Sequence, residues 1–505
     1  MNNDIRVRMA PSPTGSIHIG TLRTVLYDYL FAKKNGGKLV LRIEDTDQSR
    51  EVEGAVKDLL LRLRDVGIEY DEGPFINSET EKIEEKGNCG PYTQSKRLDI
   101  YKKYVDILLE KGNAYHCFCT PERLDEMRKR QQQAKQPPMY DRTCCSLSKE
   151  EIVQRIEKGE KVVVRMKVPR SEKIIVDDIV RGRVEFSSST VDDQVIMKSD
   201  GFPTYHLAVV VDDYLMKISH VIRGEEWLPS TPKHIILYNM FGWDLPQFAH
   251  LPLLLNENKS KLSKRQGDVS VEDFLNKGYL KEALINFVAF LGWNPGGGET
   301  REKYTLSELV GVFELAKVHK SGAVVDIKKL GAINSHYIRE SDTKDLYKDL
   351  CAYFQNIPEL EWILQKYPNA KTKSDDRSFL ERVLTVEKER LERLIDFGKE
   401  NPFFFETINL EKDLLRWKEN SDKQTVQSLT NALDVLSHID EIDWTRENIA
   451  AQLMDAAGEN RGSFLWPLRA ALTGAKRSPS PMDCAWVIGK KESLKRIKNA
   501  TALMN

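Results

Sequence analysis

Residues 5–43 are IRVRMAPSPTGSIHIGTLRTVLYDYLFAKKNGGKLVLRI, and their pattern is that of a strand, a turn, a helix and a second strand. Residues 5–9 alternate apolar and basic side chains as a short strand does, and the prolines of PSPTG then break the strand. The apolar positions after the turn have helical spacing, and Asn35-Gly36-Gly37 is predicted to end the helix. Those positions are Leu22, Val25, Leu26, Tyr29 and Leu30. With residues 38–43 as the second strand, the segment opens a parallel α/β sheet, which binds ligands at the carboxyl ends of its strands.

The whole chain has the composition of a large globular protein. Its 505 residues are 40% hydrophobic and 30% charged, which excludes the disordered and fibrous classes. Lys plus Arg number 76 and Asp plus Glu 77, giving a net charge of −1, so a nucleic-acid partner would have to be bound by local basic patches. No apolar run approaches the roughly 18–20 residues of a membrane span, and the N-terminus has no apolar core of a secretory signal. We therefore expect no membrane association and a cytoplasmic protein.

The sheet pattern is interrupted in the middle of the chain. A helix from Leu98 ends near Gly112, and a Gln-rich run and strand-like segments then indicate an inserted α+β module over about residues 100–202. The parallel-sheet pattern resumes with the apolar run at 207–211 and with residues 219–227, which end in VIRGEEW.

The last third of the chain is helical in pattern. Leu429, Ala432, Leu433 and Leu436 would share one helix face, and Leu380, Leu384, Leu391 and Leu394 another. The predicted fold is thus a multidomain α/β protein with a Rossmann-like parallel sheet, split by an α+β insertion and followed by an all-helical C-terminal region.

Seven cysteines are an odd number and sparse for this length, which argues against a disulfide framework. The close spacing of Cys117, Cys119, Cys144 and Cys145 singles them out as candidate metal ligands or reduced bystanders.

The turn of residues 11–15 and His18-Ile19-Gly20-Thr21 at the start of the helix form a candidate anion site. Backbone N–H groups and the positive helix end would face an anion there, and His18 and Thr14 offer donors to phosphate oxygens. Because Gly20 has no side chain, an aromatic base can approach the backbone closely. A strand-to-helix turn that merely carries a polar cap is the alternative.

A second basic segment, KSKLSKRQG at 259–267, would alone be a solvated surface loop. Together, however, HIGT and KLSKR resemble the two signature sequences of class I aminoacyl-tRNA synthetases, HIGH and KMSKS. The sequences RMAPSPTGSIHIGTLRT, RIEDTD, GPYTQS, KSDGFPTYHLA, VIRGEEW and KLSKR occur in the order and near the spacings of the glutamyl-tRNA synthetase family. This resemblance is dense from residue 5 to about 330 and weak in the helical remainder, where LWPLRAALTG at 465–474 is its best anchor.

The resemblance implies a bacterial-type glutamate–tRNA ligase. Such an enzyme uses ATP and Mg²⁺ to convert L-glutamate to glutamyl-adenylate, in this subfamily only with tRNA bound, and transfers it to the 3′-terminal adenosine of tRNA(Glu). We expect a monomer. The implied regions are 1–100 and 203–250 for the two halves of the catalytic domain, 101–202 for an inserted domain that binds the acceptor end, 251–328 for a stem-contact region carrying KLSKR, and 329–505 for the anticodon-binding region.

In-line attack on the α-phosphorus of ATP needs positioning and positive charge. The resemblance assigns ATP binding to Thr14, His18, Gly20 and Lys264, and places Thr21 and Lys261 in the catalytic set with Lys264 as the principal lysine. Thr21 stands where the general class motif has histidine.

An acidic substrate needs a fixed cationic receptor, and Arg8 and Arg223 end two predicted strands beside the ATP turn. Without the motifs, each arginine would be interpreted as a surface ion pair. The resemblance implies a glutamate pocket in which Glu44 contacts the substrate ammonium. Its implied residues are Arg8, Ala10, Ser12, Glu44, Tyr205 and Arg223. Val209 replaces the family asparagine, so that amide contact cannot be carried over.

Cys117, Cys119, Tyr140 and Cys144 resemble the C-x-C…Y-x₃-C arrangement of zinc-bearing members of the family. Three thiolates with Tyr140, or with Cys145 instead, would complete a tetrahedral structural Zn²⁺ site. The alternative is that the cysteines are reduced and bind nothing. In the helical region, Lys388, Arg390 and Arg393 are predicted to lie on the helix from about Ser378, interleaved with its apolar stripe, and an ordinary solvated helix face is the alternative. By loose alignment, Arg390 lies where some members read the third anticodon base.

Four rival functions are weaker. A glutaminyl-tRNA synthetase would make little use of two pocket arginines, and a truncated tRNA-modifying relative would lack the helical tail after residue 330. A small-metabolite adenylyltransferase needs neither KLSKR nor the tail. Intact His18, Glu44, Arg223 and Lys264 argue against a non-catalytic RNA-binding module.

Overall fold

The computed structural model describes residues 4–50, 52–262 and 270–505. It contains two compact units, one formed by the chain up to residue 274 with residues 284–327, and the other by residues 275–283 with 328–505. Among the described residues, no helix combines the length and apolar character needed to cross a bilayer.

The strands, in chain order, are β1 (Arg6–Met9), β2 (Lys38–Leu41), β3 (Gly73–Ile76), β4 (Ile83–Lys86), β5 (Ala114–Cys117), β6 (Val163–Met166), β7 (Lys173–Asp178), β8 (Gly182–Ser187), β9 (Val195–Met197), β10 (His220–Gly224), β11 (Gln247–Leu251), β12 (Leu254–Leu255) and β13 (Ala323–Val324).

The helices are α1 (Ile19–Lys34), α2 (Ala55–Asp65), α3 (Leu98–Glu110), α4 (Pro121–Gln133), α5 (Lys149–Glu157), α6 (Tyr205–Leu215), α7 (Thr231–Phe241), α8 (Val271–Asn276), α9 (Lys281–Ala289), α10 (Leu306–Val312), α11 (Ile327–Glu340), α12 (Thr343–Asn356), α13 (Glu361–Lys366), α14 (Asp375–Glu387), α15 (Lys412–Leu415), α16 (Asp422–Ser437), α17 (Arg446–Ala457), α18 (Arg461–Thr473) and α19 (Pro481–Met504), the last interrupted at Gly489.

The parallel sheet predicted from residues 5–43 is confirmed. β1 and β2 pair in parallel with Arg8 opposite Val40, and α1 connects them. Leu22, Val25, Leu26 and Leu30 of α1 are all buried. Asn35 ends the helix, and Gly37 lets the chain return to the sheet, because a Cβ there would lie 2.3 Å from the carbonyl oxygen of Ile5.

A second sheet, in the order β10-β11-β7-β8, contains strands from distant parts of the chain. β10 and β11 are parallel, with Arg223 opposite His250, and β7 joins β11 through the pair Asp178–Phe248. β1 lies beside β10, where the N–H of Ser219 donates to the carbonyl of Arg6 at 2.9 Å. Arg8 and Arg223 therefore lie near the carboxyl ends of two neighbouring strands, where parallel sheets bind ligands.

The prediction for the apolar run at 207–211 is wrong. The run continues no strand and lies inside helix α6, because these five residues are all buried and a fully buried run carries neither helical nor strand periodicity. The strand predicted around Arg223 is confirmed as β10.

The C-terminal unit is helical, as predicted. Of the four residues predicted to share one face of α16, Leu429, Ala432 and Leu436 are buried and Leu433 is half-buried. The stripe that begins with Leu380 and Leu384 belongs to α14, but this helix ends at Glu387, before the buried Leu391 and Leu394. The Glu387 carboxylate accepts the N–H of Gly398 and the side-chain amide of Asn401, so the chain turns back on itself after the helix.

Candidate active site

His18 caps helix α1 at the end of the PSPTG turn. Its Nδ1 accepts the N–H of Gly20 at 3.0 Å, so in the neutral imidazole the proton lies on Nε2, a donor suited to a phosphate oxygen. A Cβ at position 20 would lie 3.3 Å from that Nδ1, so glycine gives the cap its room. Thr14 and Thr21 are half-buried on either side. The arrangement has the geometry that an anion site at a helix N-terminus requires.

One end of the basic loop lies next to this turn. His18 forms an antiparallel bridge with Ser270, and the N–H of Val271 donates to the carbonyl of Ile17 at 2.9 Å. At the other end of the loop Lys261 is exposed, and its backbone pairs with Leu255. Lys264 lies outside the described residues. The fold thus brings the segment that follows KLSKR to the HIGT turn.

Arg8 lies in a cluster of alternating charges. Its Nε donates to Asp213 at 3.2 and 3.3 Å, and Arg42 donates to the same carboxylate at 2.7 Å and to Glu44 at 2.9 Å. All four side chains are buried. Burial opposes ionisation of Asp213, but Arg8 and Arg42 hold its pKa below the usual range. Arg8 is therefore compensated by a carboxylate of its own protein.

Glu44 follows β2 and reaches the same edge as the PSPTG turn. Its N–H donates to the carbonyl of Pro11 at 3.0 Å, and its carboxylate accepts Arg42 through Oε1. Burial raises the pKa of Glu44, against the attraction of Arg42. Ala10 is half-buried and Ser12 exposed in the same turn. A cation near Glu44, such as a substrate ammonium, would relieve this burial cost.

Arg223 is equally buried, at 5% exposure, but has neutral partners. It donates to the His250 Nε2 (3.1 Å), the His234 Nδ1 (3.2 Å), the Thr231 hydroxyl (2.9 Å), the Tyr205 hydroxyl (3.3 Å) and the Trp227 carbonyl (3.5 Å). Among the described residues it pairs with no carboxylate. Burial lowers the pKa of Arg223, with Tyr205 opposing. A guanidinium stays charged in proteins, so this is a fixed cation without a counter-ion.

Tyr205 lies beside Arg223, and its hydroxyl accepts a hydrogen bond from Nη1 at 3.3 Å. It begins α6, and its ring lies 4.5 Å from that of Trp227, measured between centroids. Val209, one turn later on the same helix, is 2% exposed and contributes no polar group.

The predicted cysteine site is also assembled, in the other part of the first unit. The Sγ atoms of Cys117, Cys119 and Cys144 lie within 4.8 Å of one another, and the Tyr140 hydroxyl lies 3.4 Å from Cys117 and 3.2 Å from Cys119. Cys145 is outside this cluster. Hydrogen bonds from Cys144 and Tyr140 lower the pKa of Cys117, and its Sγ also accepts Arg165 at 3.3 Å.

Comparison with known proteins identifies the family. Residues 4–332 match the family of class I tRNA synthetases (E and Q), catalytic domain. The chain belongs to this synthetase family. Residues 345–501 of the synthetase match an anticodon-binding domain. Enzymes of this class are ligases that use ATP and Mg²⁺.

The synthetase has relatives of the same length. It is 46% identical to the glutamate–tRNA ligase of Chloroherpeton thalassium, over 98% of this chain and 97% of that protein. It is 45% identical to the one of Alkaliphilus metalliredigens, over 98% of both chains. A crystal structure of a glutamate tRNA ligase from Elizabethkingia meningosepticum, in complex with its amino acid, matches with a TM-score of 0.82 and 34% identity, covering 99% of this chain and 100% of that one.

The structure brings Arg8, Glu44, Tyr205 and Arg223 of the synthetase close together. Arg390 is exposed on the segment after α14, and with Lys388 and Arg393 it is not on a helix, contrary to the prediction. Sequence reasoning missed the buried partners of the two arginines. These are Arg42, Asp178, Asp213, Thr231, His234 and His250. The only local signal was the Asp212-Asp213 pair directly after an apolar run.

Proposed function

We propose that this synthetase is a glutamate–tRNA ligase. It activates L-glutamate with ATP to glutamyl-adenylate and then esterifies the 3′-terminal adenosine of tRNA(Glu). The observation that carries the proposal is Arg223, a buried cation whose partners in the described chain are all neutral. Burial of a guanidinium without a counter-charge is unfavourable. An acidic substrate is best suited to offset this, because its carboxylate would pair with the guanidinium.

Glutamate is oriented from two sides. Arg223 receives the side-chain carboxylate, and Tyr205, which hydrogen-bonds Arg223, limits the pocket beside it. Glu44 receives the ammonium group, while Ala10 and Ser12 of the turn line the space between them. Arg8 fixes this edge through Asp213, since its own charge is already balanced.

ATP binds at the start of α1. His18 donates from Nε2 to a phosphate oxygen, and Gly20 lets the adenosine approach the helix backbone. Thr14 and Thr21 add hydroxyl donors. Lys261 and Lys264 balance the charge that grows on the pyrophosphate as the glutamate carboxylate attacks the α-phosphorus, and Mg²⁺ supplies further positive charge there when bound.

Transfer RNA contacts the remaining regions. We assign residues 101–202 to the acceptor end, 251–328 to the stem, and 329–505 to the anticodon, with the two halves of the catalytic domain at 1–100 and 203–250. The exposed Arg390 is the assigned reader of the third anticodon base. Exposed arginines on irregular backbone suit splayed loop bases.

The cysteine cluster fits a structural zinc ion. Thiolates bound tetrahedrally at about 2.3 Å lie about 3.8 Å apart, and the Sγ atoms of Cys119 and Cys144 are 3.6 Å apart. Cys117, Cys119, Cys144 and Tyr140 would hold the ion. The ion would supply folding free energy to the inserted domain and no chemistry. Metal analysis of the purified protein is expected to find about one equivalent of zinc, and Cys144→Ser to lose it, while less than about a tenth of an equivalent in the wild type would contradict the site.

Charging of total bacterial tRNA tests the function. Labelled glutamate and, separately, labelled glutamine are supplied with ATP and Mg²⁺, and the labelled tRNAs are resolved. Glutamate on tRNA(Glu) is the expected result, whether or not tRNA(Gln) is also charged with glutamate. Labelling by glutamine, or no labelling at all, would refute the proposal.

A further inference from the structure

Two buried histidines hold Arg223, and neither belongs to the residues assigned above. His250 ends β11 and has no exposed surface, while His234 on α7 is 3% exposed. Each contacts the guanidinium through one ring nitrogen, and each has a second partner on its other nitrogen. These second partners fix which ring nitrogen carries the proton. They therefore also fix whether the nitrogen that faces Arg223 is a donor or an acceptor.

Asp178 determines which ring nitrogen of His250 carries the proton. Asp178 Oδ2 lies 2.6 Å from His250 Nδ1, and the same carboxylate accepts the backbone N–H groups of His250, Val180 and Arg181. Burial opposes ionisation, but His250 and these N–H groups lower the pKa of Asp178, so it acts as an acceptor. The proton of His250 is then on Nδ1, and Nε2 presents a lone pair to the Nε–H of Arg223 at 3.1 Å.

His234 faces Arg223 with its other ring nitrogen, Nδ1, where His250 uses Nε2. Its Nδ1 lies 3.2 Å from Nη1 of Arg223, which can only donate, so this nitrogen is the acceptor. Its Nε2–H then donates to Nδ1 of His206 at 3.1 Å. Burial lowers the pKa of His234 and of His206, which keeps both rings neutral.

We propose that His250 and His234, with Asp178 behind His250, are positioning residues that set specificity for an acidic amino acid by holding Arg223 with neutral acceptors. The inference rests on the proposed function. A carboxylate in either place would fix the guanidinium equally well but would neutralise it, as Asp213 does for Arg8. A neutral imidazole orients the fork and leaves the whole charge for the substrate carboxylate.

Replacement by asparagine and by glutamine is expected to have opposite effects at His250 and at His234. The side-chain oxygen of asparagine approximates Nδ1 of histidine, and that of glutamine approximates Nε2. At position 250 the acceptor that faces Arg223 is Nε2, so His250→Gln keeps it and His250→Asn loses it. At position 234 it is Nδ1, so His234→Asn keeps it and His234→Gln loses it.

The experiment is steady-state charging of tRNA(Glu) by the full-length enzyme, with KM for glutamate, KM for ATP, kcat and the thermal unfolding midpoint measured for each variant. His250→Asn and His234→Gln are expected to raise KM for glutamate about ten- to hundredfold, the loss of a hydrogen bond to a charged group, and to leave KM for ATP within about threefold. Their partners His250→Gln and His234→Asn should lie within about fivefold of wild type. His220→Asn, at the opposite end of β10, is the control and should leave KM for glutamate unchanged.

A merely structural role would not give this reversal, because both substitutions at a site would then follow the unfolding midpoint. Equal KM values within each pair, at equal unfolding midpoints, would overturn the inference while leaving glutamate charging by the wild type intact. If the variants at one position do not fold, the order of the KM values for glutamate of the Asn and Gln variants at the other position tests the inference alone. A wild-type enzyme that does not charge glutamate would remove the proposed function first, and the inference with it.

Discussion

Arg8 and Arg223 lie on the adjacent strands β1 and β10 and are equally buried, at 4% and 5% exposure, but their partners are of different kinds. Arg8 shares Asp213 with Arg42, and Glu44 completes the cluster, so the charges there alternate. Arg223 is held by two imidazoles, two hydroxyls and one backbone carbonyl. A buried arginine is therefore not in itself an anion receptor. The compensated arginine contributes orientation, and the uncompensated one contributes charge.

The largest expected effect comes from removing the uncompensated charge. Arg223→Gln should lower kcat/KM for glutamate about 10²- to 10³-fold, since an unpaired substrate carboxylate in a buried site costs roughly 2–5 kcal/mol. The unfolding midpoint should not fall, because the wild-type cation has no carboxylate partner to lose among the described residues. A variant that is inactive only because it unfolds at a lower temperature would break the comparison.

The opposite behaviour is expected at the compensated arginine. Asp213→Asn leaves Arg8 and Arg42 without their shared carboxylate, so the free energy of unfolding should fall by roughly 3–5 kcal/mol. Urea unfolding measures this change. Asp177→Asn, at an exposed position of β7, is the control and should change stability by less than about 0.5 kcal/mol. Similar values for the two variants would mean that the buried cluster is not what stabilises this edge.

The lysines of the basic loop separate ATP chemistry from glutamate recognition. Lys264→Ala should lower kcat about 10²-fold, since it removes charge that stabilises the leaving pyrophosphate. Unlike Arg223→Gln, it should leave KM for glutamate and the affinity for tRNA nearly unchanged. Lys261→Ala is the matched variant, with a smaller loss expected. An unchanged rate in Lys264→Ala would refute its assigned role.

A second compensated pair on β1 gives the smallest effect. The Arg6 side chain donates to Glu72 at 2.7 Å and, with Tyr92, lowers the pKa of Glu72 to about 2. Since the unfolded pKa is about 4.3, the carboxylate stabilises the fold above that pH, by no more than about 3 kcal/mol, and this stabilisation is lost as the pH falls toward 2. The difference in unfolding free energy between wild type and Glu72→Gln should thus shrink to about half between pH 6 and pH 3. A constant difference would show that ionisation of Glu72 is not its source.

Local signals explain what could be predicted from the sequence. The β1–α1–β2 unit follows from a breaker-rich turn, a capping histidine and helical spacing, all within 40 residues. The run at 207–211 carried no such period because it is buried on every side, and α14 ends at Glu387, whose partners lie 11 and 14 residues further along the chain.

The positions of Arg8 and Arg223 could be predicted for a related reason, since strand ends are local features. The side chains that contact Arg8 and Arg223 could not be predicted from the sequence. Asp213 is 205 residues from Arg8, and His250 depends on Asp178, which is 72 residues away. Whether a buried arginine is compensated is decided by the tertiary fold, and no spacing in the sequence encodes it.

The central claim is that the unpaired charge of Arg223 selects glutamate. Its most direct test is charging of tRNA(Glu) by wild type and by Arg223→Gln, with the ratio of kcat/KM for glutamate to that for glutamine measured in each. We predict a large ratio in the wild type that falls at least about a hundredfold in the folded variant, because glutamine makes no use of the charge. A ratio that survives the loss of Arg223 would contradict the account.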